Sequence, residues 1–171
     1  MNPAVAAHHT QGPSTIRVAV LTISDTRTPE TDTSGRLVAD LTESAGHQVV
    51  DRAIVPDEPD AIQGRLVELL ARGDVDAALL TGGTGISQRD RTFETVSALL
   101  TTQITGYGEL FRMLSYAEIG PACILSRALG GLYGPMVVLT MPGSRAAVEL
   151  AMTRIILPEL PHLVGEARKP T

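Results

Sequence analysis

Aromatic residues are scarce in this chain of 171 residues, which has three tyrosines, two phenylalanines and no tryptophan. A platform that stacks the bases of single-stranded nucleic acid therefore has little to be built from. Basic residues are also in the minority, because 14 Lys and Arg stand against 19 Asp and Glu, for a net charge of −5. This balance excludes a general basic footprint and predicts no nucleic-acid partner, although an electropositive loop can still bind a small anion.

Cysteine is limited to Cys123, so neither an intrachain disulfide nor a cysteine-rich zinc site can form. No apolar run approaches the ~18–20 residues that a membrane span needs. The first fifteen residues lack the basic and apolar regions of a signal peptide, and the four histidines do not have the spacing of metal ligands. We therefore expect a cytoplasmic protein with no membrane partner, in which Cys123 is a small core residue of an apolar strand.

Apolar runs alternate with stretches whose apolar residues recur every three or four positions, and the length suits one domain. Such alternation is typical of α/β proteins, and a β-branched run such as residues 16–23 suits a strand covered on both faces. We therefore expect a three-layer αβα sandwich with a mostly parallel central sheet. The predicted strands cover residues 16–23, 48–55, 75–81, 122–126 and 136–141, and the predicted helices cover residues 34–45, 59–72, 93–100, 107–118 and 144–157.

A single domain is expected over residues 16–164, between a disordered N-terminal tail at 1–15 and a C-terminal tail at 165–171. A glycine-rich turn is expected at residues 130–134. Ser144 is expected to cap the last helix and Pro158 to end it.

The most specific local signal is the run Thr81-Gly82-Gly83-Thr84-Gly85, directly after the third predicted strand. Glycines permit positive φ and carry no side chain, so successive backbone N–H groups can surround an anion. Ligands of open α/β sheets bind at this edge, outside the carboxyl ends of the strands. The consensus sequences G-x-x-x-x-G-K-[ST] and G-x-G-x-x-G are absent here, so phosphate binding and a plain strand-to-helix turn both remain open.

Carboxylates follow the predicted strands at the same edge. Asp90 lies five residues after Gly85, and Asp57 follows the second strand. Asp90, beside the glycine loop, suits a Mg²⁺ site, because Mg²⁺ takes one or two carboxylates together with phosphate oxygens. The alternative is that each aspartate caps the helix after it, with Thr92 and Glu94 forming a capping signal after Asp90.

Together these segments resemble the MoaB/Mog family of molybdenum-cofactor biosynthesis proteins, whose relatives include the G domain of gephyrin. The resemblance covers residues 16–161, and its most specific part is the segment 79–85 with Asp90 after four further residues. Supporting segments in the correct order are residues 21–25, 32–35, 55–58, 124–127 and 141–144.

This resemblance implies a molybdopterin-binding α/β domain that assembles as a homotrimer or a hexamer. Active members of the family are molybdopterin adenylyltransferases, which use Mg²⁺ and ATP to place AMP on the terminal phosphate of molybdopterin and release pyrophosphate. The resemblance thus implies molybdopterin and ATP as substrates, Mg²⁺ as the cofactor, and contact with other molybdenum-cofactor enzymes.

The same resemblance implies roles for individual residues. Asp57 and Asp90 match the family's two essential carboxylates, so they are expected to be catalytic and to hold Mg²⁺, and Arg89 and Arg127 are expected to neutralise phosphate charge. Ser126 matches a serine associated with substrate binding. The full set of expected substrate contacts is Ser24, Asp25, Asp32, Ser34, Gly35, Thr81, Gly82, Gly83, Thr84, Gly85, Ser126, Arg127, Pro142, Gly143 and Ser144.

Two segments depart from the active members. Residues 89–93 read Arg-Asp-Arg-Thr-Phe, where active members commonly read Arg-Asp-Val-Thr-Pro, and residues 106–115 are more similar to the MoaB branch than to the Mog branch. The alternative function is therefore a scaffold that binds molybdopterin without adenylylating it. A nucleotide hydrolase of the CinA type, which shares a similar domain, is a second alternative.

Overall fold

The computed structural model describes residues 12–169. Residues 1–11 of the expected N-terminal tail and residues 170–171 lie outside this range. The elements in chain order are β1 (Arg17–Ile23), α1 (Thr33–Ser44), β2 (Gln48–Val55), α2 (Pro59–Arg72), β3 (Ala77–Thr81), α3 (Thr92–Leu99), β4 (Thr102–Gln103), α4 (Thr105–Ile119), a 3₁₀ helix (Gly120–Leu125), β5 (Gly130–Tyr133), β6 (Met136–Met141), α5 (Arg145–Ala151), a π-helical segment (Met152–Ile156) and α6 (Leu157–Ala167).

The six strands form one mixed sheet in the order β2-β1-β3-β6-β5-β4. The pairs β1–β2, β1–β3 and β3–β6 are parallel, whereas β5–β6 and β4–β5 are antiparallel. The predicted mostly parallel sheet is confirmed for the four strands at its centre and one edge. Their carboxyl ends are in register, because Ile23 pairs with Val55, Thr22 with Thr81, and Thr81 with Met141. The loops that follow these strands therefore lie side by side.

Two apolar cores cover the two faces of the sheet, which confirms the three-layer architecture. Alternate residues of β1 point to opposite faces, so Val18 and Val20 belong to one core, while Ala19 and Leu21 belong to the other. Helices α1, α4, α5 and α6 complete the first core, and α2 and α3 complete the second. Within residues 12–169, no helix is both long enough and apolar enough to cross a membrane.

The strand predicted at residues 122–126 is wrong, because this segment is part of a 3₁₀ helix. Gly120 has a φ of +61° and Pro121 stands in the first turn of the helix, a backbone that does not extend a strand. Cys123 is nevertheless buried, with 5 % of its surface exposed. The expected burial of this thiol therefore holds, although its expected place in a strand does not.

The turn predicted at residues 130–134 is also wrong in part, since residues 130–133 form strand β5 and pair with β6. Glycine allows β5 to approach β4 closely on its other side, because a Cβ at Gly131 would lie 2.3 Å from the carbonyl oxygen of Thr102 on β4. The reversal itself needs Gly134, whose φ is +58°. The two-residue strand β4 has no apolar pattern and was not predicted.

The last helix does not end at Pro158. Ser144 caps α5 as predicted, with its Oγ accepting a hydrogen bond from the Ala147 N–H. The helix then widens into the π-helical segment, and Pro158 stands in the first turn of α6, where its missing N–H is tolerated. Because α6 continues to Ala167, the expected domain boundary at residue 164 falls inside a helix.

Candidate functional site

The glycine loop after β3 has a backbone that only glycine can supply. Gly82 and Gly83 have φ values of +107° and +61°. A Cβ at Gly82 would lie 2.3 Å from the Ile23 carbonyl oxygen, so the loop packs directly on the end of β1. The Gly82 N–H donates to the Met141 carbonyl at 3.0 Å, and Thr81 Oγ1 donates to the Pro142 carbonyl at 3.2 Å. The loop is thereby fixed to both neighbouring strands.

A cavity of about 490 Å³ opens beside this loop. One wall is the glycine loop with Asp90, Ser126 and residues 142–144. The opposite wall comes from α4, the 3₁₀ helix and α5, and it is mostly apolar. Its members are Phe111, Ser115, Glu118, Ile119, Ala122, Cys123, Leu125, Ala146, Ala147 and Leu150. The cavity therefore offers a polar wall suited to phosphate and an apolar wall suited to a flat organic group.

Asp57 lies at the back of the glycine loop and does not cap its own helix. The N-cap position of α2 is Glu58, which makes no side-chain capping bond. Asp57 Oδ1 instead accepts the Arg91 N–H at 3.1 Å, from the start of α3. Burial and the negative charges of Asp90, Asp25 and Glu58 raise the pKa of Asp57, against the opposing effect of the Arg91 N–H.

Asp90 is not a helix cap either. The N-cap position of α3 is Arg91, again without a side-chain capping bond, so the alternative in which Asp90 caps this helix, with Thr92 and Glu94 as its capping signal, is wrong. Asp90 Oδ2 accepts the Ser87 N–H at 2.8 Å, and it would lie 2.7 Å from a Cβ at Gly85. The two aspartates therefore stand against the same loop, Asp57 beside Gly83 and Asp90 beside Gly85.

Asp25 and Arg89 connect the loop after β1 to the loop after β3. Asp25 Oδ1 accepts the Asp57 N–H at 3.1 Å, and Arg89 Nη2 donates to Asp25 Oδ2 at 2.5 Å. Ser24 turns back on its own loop, because its Oγ accepts the N–H groups of Thr26 and Arg27. Asp25 therefore helps to place Asp57, while the guanidinium of Arg89 is already paired with a carboxylate.

The predicted contacts in α1 do not line the cavity. Asp32 caps α1 through the Gly35 N–H, accepts a hydrogen bond from Thr22 and pairs with Arg52. Burial alone would raise the pKa of Asp32, but the hydrogen bonds from Arg52, Gly35 and Thr22 hold it below its ordinary value. Ser34 Oγ donates to the Gly143 carbonyl at 2.6 Å. Ser34 therefore holds Gly143, which lines the cavity, while Asp32 fixes the start of α1.

The side chain of Arg127 supports the loop that forms the polar wall of the cavity. Its Nε donates to the Gly85 carbonyl at 2.8 Å, its Nη2 donates to the Asp90 carbonyl at 3.1 Å, and its Nη1 pairs with Glu94. The guanidinium carbon also lies 5.1 Å from the centre of the Phe93 ring. Each nitrogen of the Arg127 side chain therefore has a protein partner, and these contacts brace residues 85–94. The expected contact of Arg127 with substrate stays a prediction.

Most predicted site residues thus come together at one edge of the sheet. The glycine loop, Asp90, Ser126 and residues 142–144 face the cavity. Thr81, Asp57, Asp25, Ser34 and Arg127 hold that wall in place. The apolar wall was not predicted from the sequence, where its signal is the run of apolar residues along α4, such as Phe111 and Ile119.

Known proteins match this chain over most of its length. A family profile described as "Probable molybdopterin binding domain" matches residues 19–162. Molybdenum cofactor biosynthesis protein B of Bacillus cereus is 51 % identical over 166 residues, covering 96 % of this chain and 98 % of that protein.

Two solved structures show the same fold. A crystal structure of a molybdenum cofactor biosynthesis protein B superposes with a TM-score of 0.89 at 51 % identity, covering 92 % of this chain and 99 % of the other. The tungsten cofactor synthesizing protein MoaB from Pyrococcus furiosus has a TM-score of 0.82 at 34 % identity, covering 92 % of this chain and 99 % of the other. By sequence and by structure, the chain belongs to the MoaB/Mog family of molybdopterin-binding domain proteins.

Proposed function

We propose that this protein acts in molybdenum cofactor biosynthesis as a molybdopterin adenylyltransferase. The observation that carries the proposal is the position of Asp57 and Asp90, which stand against one glycine loop and cap neither of their own helices. A structural carboxylate is ordinarily paired, as Asp32 is with Arg52. Burial, together with the nearby carboxylates of Asp90, Asp25 and Glu58, instead raises the pKa of Asp57, a perturbation that is typical of functional sites.

The residues present fit a magnesium ion. Among residues 12–169, no three His, Cys, Asp or Glu side chains converge to form a metal site. Mg²⁺ does not need such a cage, since it keeps several waters and takes one or two carboxylates plus phosphate oxygens. Asp57 and Asp90 would hold it, and when bound it would neutralise phosphate charge between nucleophile and leaving group.

In this reaction an oxygen of the terminal molybdopterin phosphate attacks the α-phosphorus of ATP. The bond between the α- and β-phosphates breaks, and pyrophosphate leaves with that electron pair. The glycine loop would orient the phosphates through backbone N–H groups, while the apolar wall would seat the pterin. Catalysis then rests on positioning and charge neutralisation without a covalent enzyme intermediate.

A homotrimer is the assembly that we propose. Apolar side chains on α4 and the 3₁₀ helix form a stripe that faces solvent, with Met113 64 %, Tyr116 60 %, Ile119 59 %, Ile124 74 % and Leu125 50 % exposed. A contiguous exposed stripe of this kind marks an interaction surface. We further expect a cytoplasmic location and contact with other molybdenum-cofactor enzymes.

The deciding experiment mixes the purified protein with molybdopterin, ATP and Mg²⁺, and measures adenylylated molybdopterin and pyrophosphate. Formation of both supports the proposal. Molybdopterin binding without pyrophosphate would instead support the scaffold function. Nucleotide hydrolysis without molybdopterin would support a hydrolase of the CinA type.

A further inference from the structure

The apolar wall of the cavity carries two polar side chains, Ser115 and Glu118, and both belong to α4. They are three positions apart in the helix, so they are neighbours on one of its faces. Phe111, four positions before Ser115, lines the cavity from the same face. This polar pair therefore lies within the wall that would seat the pterin.

Ser115 is buried, yet its hydroxyl has no partner in the protein. The residue is 5 % exposed, and its side chain forms no hydrogen bond with any of the residues 12–169. Hydroxyls of other helices in this chain donate to the carbonyl four residues earlier, as Thr42 does to Val38 and Thr153 does to Glu149, both at 2.7 Å. Buried polar groups are ordinarily hydrogen-bonded, so a hydroxyl left over in a cavity wall is available to a ligand.

Glu118 supplies an exposed carboxylate that is also unpaired. Within the described part of the chain, its side chain forms neither a hydrogen bond nor an ion pair. Arg154 lines a smaller neighbouring pocket together with Glu118, but the two form no ion pair there. An ionised carboxylate only accepts hydrogen bonds, and such bonds are strong beside an apolar surface. Glu118 therefore suits a ligand that presents N–H groups.

We propose that Glu118 and Ser115 make the cavity specific for a 2-amino-4-oxopyrimidine ring, the ring at the end of a pterin. This inference rests on the proposed function for the pterin as substrate. The ring presents its N3–H and its 2-amino group side by side, and one carboxylate can accept from both. The Ser115 hydroxyl donates to the ring carbonyl oxygen at position 4. A ring with a carbonyl at position 2 places oxygen against the negative charge of Glu118 and is rejected.

The test uses pterin and lumazine, two fluorescent bicyclic compounds of which lumazine has an oxygen in place of the 2-amino group. Their affinities are measured by fluorescence titration without ATP or Mg²⁺. Wild type should bind pterin about 10-fold more tightly than lumazine, the scale of one hydrogen bond to a charged group. Glu118→Gln should bind both about equally, because an amide can pair with an N–H and a carbonyl of either ring. Ser115→Ala should weaken pterin binding by roughly 2–10-fold.

Glu149→Gln is the matched control for charge. Glu149 is an exposed carboxylate of the neighbouring pocket that does not line the cavity, so this variant should keep the wild-type preference for pterin. Loss of the preference in Glu149→Gln as well would show that general negative charge produces it, which would overturn the proposal. The proposal is also overturned if wild type binds no pterin at millimolar concentration, binds both compounds equally, or keeps its preference in Glu118→Gln.

Thermal unfolding gives the second readout, with Ser34→Ala as the matched control. Ser34 is another buried serine, and its Oγ donates to the Gly143 carbonyl at 2.6 Å, so Ser34→Ala should lower Tm by roughly 1–6 °C. Ser115→Ala removes an unpaired hydroxyl, so Tm should stay level or rise. A fall like that of Ser34→Ala would show that the Ser115 hydroxyl is structural and would overturn its role in recognition.

The outcomes also separate this inference from the proposed function. A pterin preference that Glu118→Gln loses and Glu149→Gln keeps supports the recognition site, whether or not the protein adenylylates molybdopterin. If adenylylation is absent, the proposed function fails while the recognition site stands. If adenylylation occurs but Glu118→Gln retains the preference, the recognition site fails while the proposed function stands.

Discussion

Replacing Asp57 with asparagine should make the metal-free protein more stable while reducing its activity. Asparagine retains an oxygen that can accept the Arg91 N–H but removes a charge that burial and three nearby carboxylates disfavour. Solvent screens part of this repulsion, so the gain should be about 0.5–1 kcal/mol, in the range of ordinary surface-charge optimisation. For a chain of this length, Tm should rise by roughly 1–4 °C.

Asp32→Asn is the matched control, because it makes the same chemical change at a carboxylate that is paired. The Asp32 side chain is 1 % exposed and binds Arg52 at 2.8 Å. Hydrogen bonds to charged groups contribute about 1.5–3 kcal/mol, so Tm should fall by roughly 3–12 °C. The two substitutions should therefore change Tm in opposite directions.

The pH dependence of unfolding follows from the same pKa shifts. The pKa of Asp57 is raised in the folded protein, so its ionisation disfavours folding at neutral pH and this penalty disappears as pH falls below the unfolded value. The advantage of Asp57→Asn should therefore shrink in acid. The pKa of Asp32 is lowered, so its stabilisation is present above the unfolded value and is lost as pH falls through the lower folded value.

Scanning calorimetry at several pH values, together with the adenylylation assay, checks this reasoning. Asp57→Asn should lose roughly 10²–10³-fold in turnover, the scale of one preorganised electrostatic contact. A fall in Tm at neutral pH similar to that of Asp32→Asn would refute the view that Asp57 is an unpaired functional carboxylate. It would make Asp57 a structural cap of α3.

The fold was largely readable from the sequence because most elements carry strong local signals. The boundaries of β2, α2 and β6 match the predicted ranges, since each has a clear apolar pattern between glycine, proline or polar residues. The segments that failed lack such signals. Residues 122–126 are apolar but follow Gly120 and Pro121, and residues 130–133 form a strand only because β6 pairs with them.

The sequence predicted which residues belong to the candidate site but not the contacts that each of them makes. Motif order indicated the glycine loop and both aspartates. Nothing local indicated that Arg127 would pair with Glu94 and donate to the carbonyls of Gly85 and Asp90. Such contacts join residues 33 to 42 positions apart. They depend on tertiary packing that no window of sequence contains.

Three further predictions concern Cys123, the exposed apolar stripe and the brace formed by Arg127. Cys123→Ala should keep turnover within a few-fold, because it shortens one buried side chain of the apolar wall; a large loss of activity in a folded variant would give the thiol a chemical role. Tyr116→Glu should convert the proposed homotrimer to monomers in light scattering, because it places a charge in the exposed apolar stripe, whereas Glu109→Gln on the same helix should not; a wild-type protein that is already monomeric would contradict the proposed trimer. Arg127→Lys should lower both Tm and turnover, because one ammonium cannot replace the donors that reach Gly85, Asp90 and Glu94 together. Losing two hydrogen bonds at about 0.5–1.5 kcal/mol each corresponds to a fall of roughly 2–12 °C in Tm, measured alongside the adenylylation rate. If the lysine variant unfolded at the wild-type temperature and kept the wild-type rate, the loop that carries Asp90 would not depend on this brace.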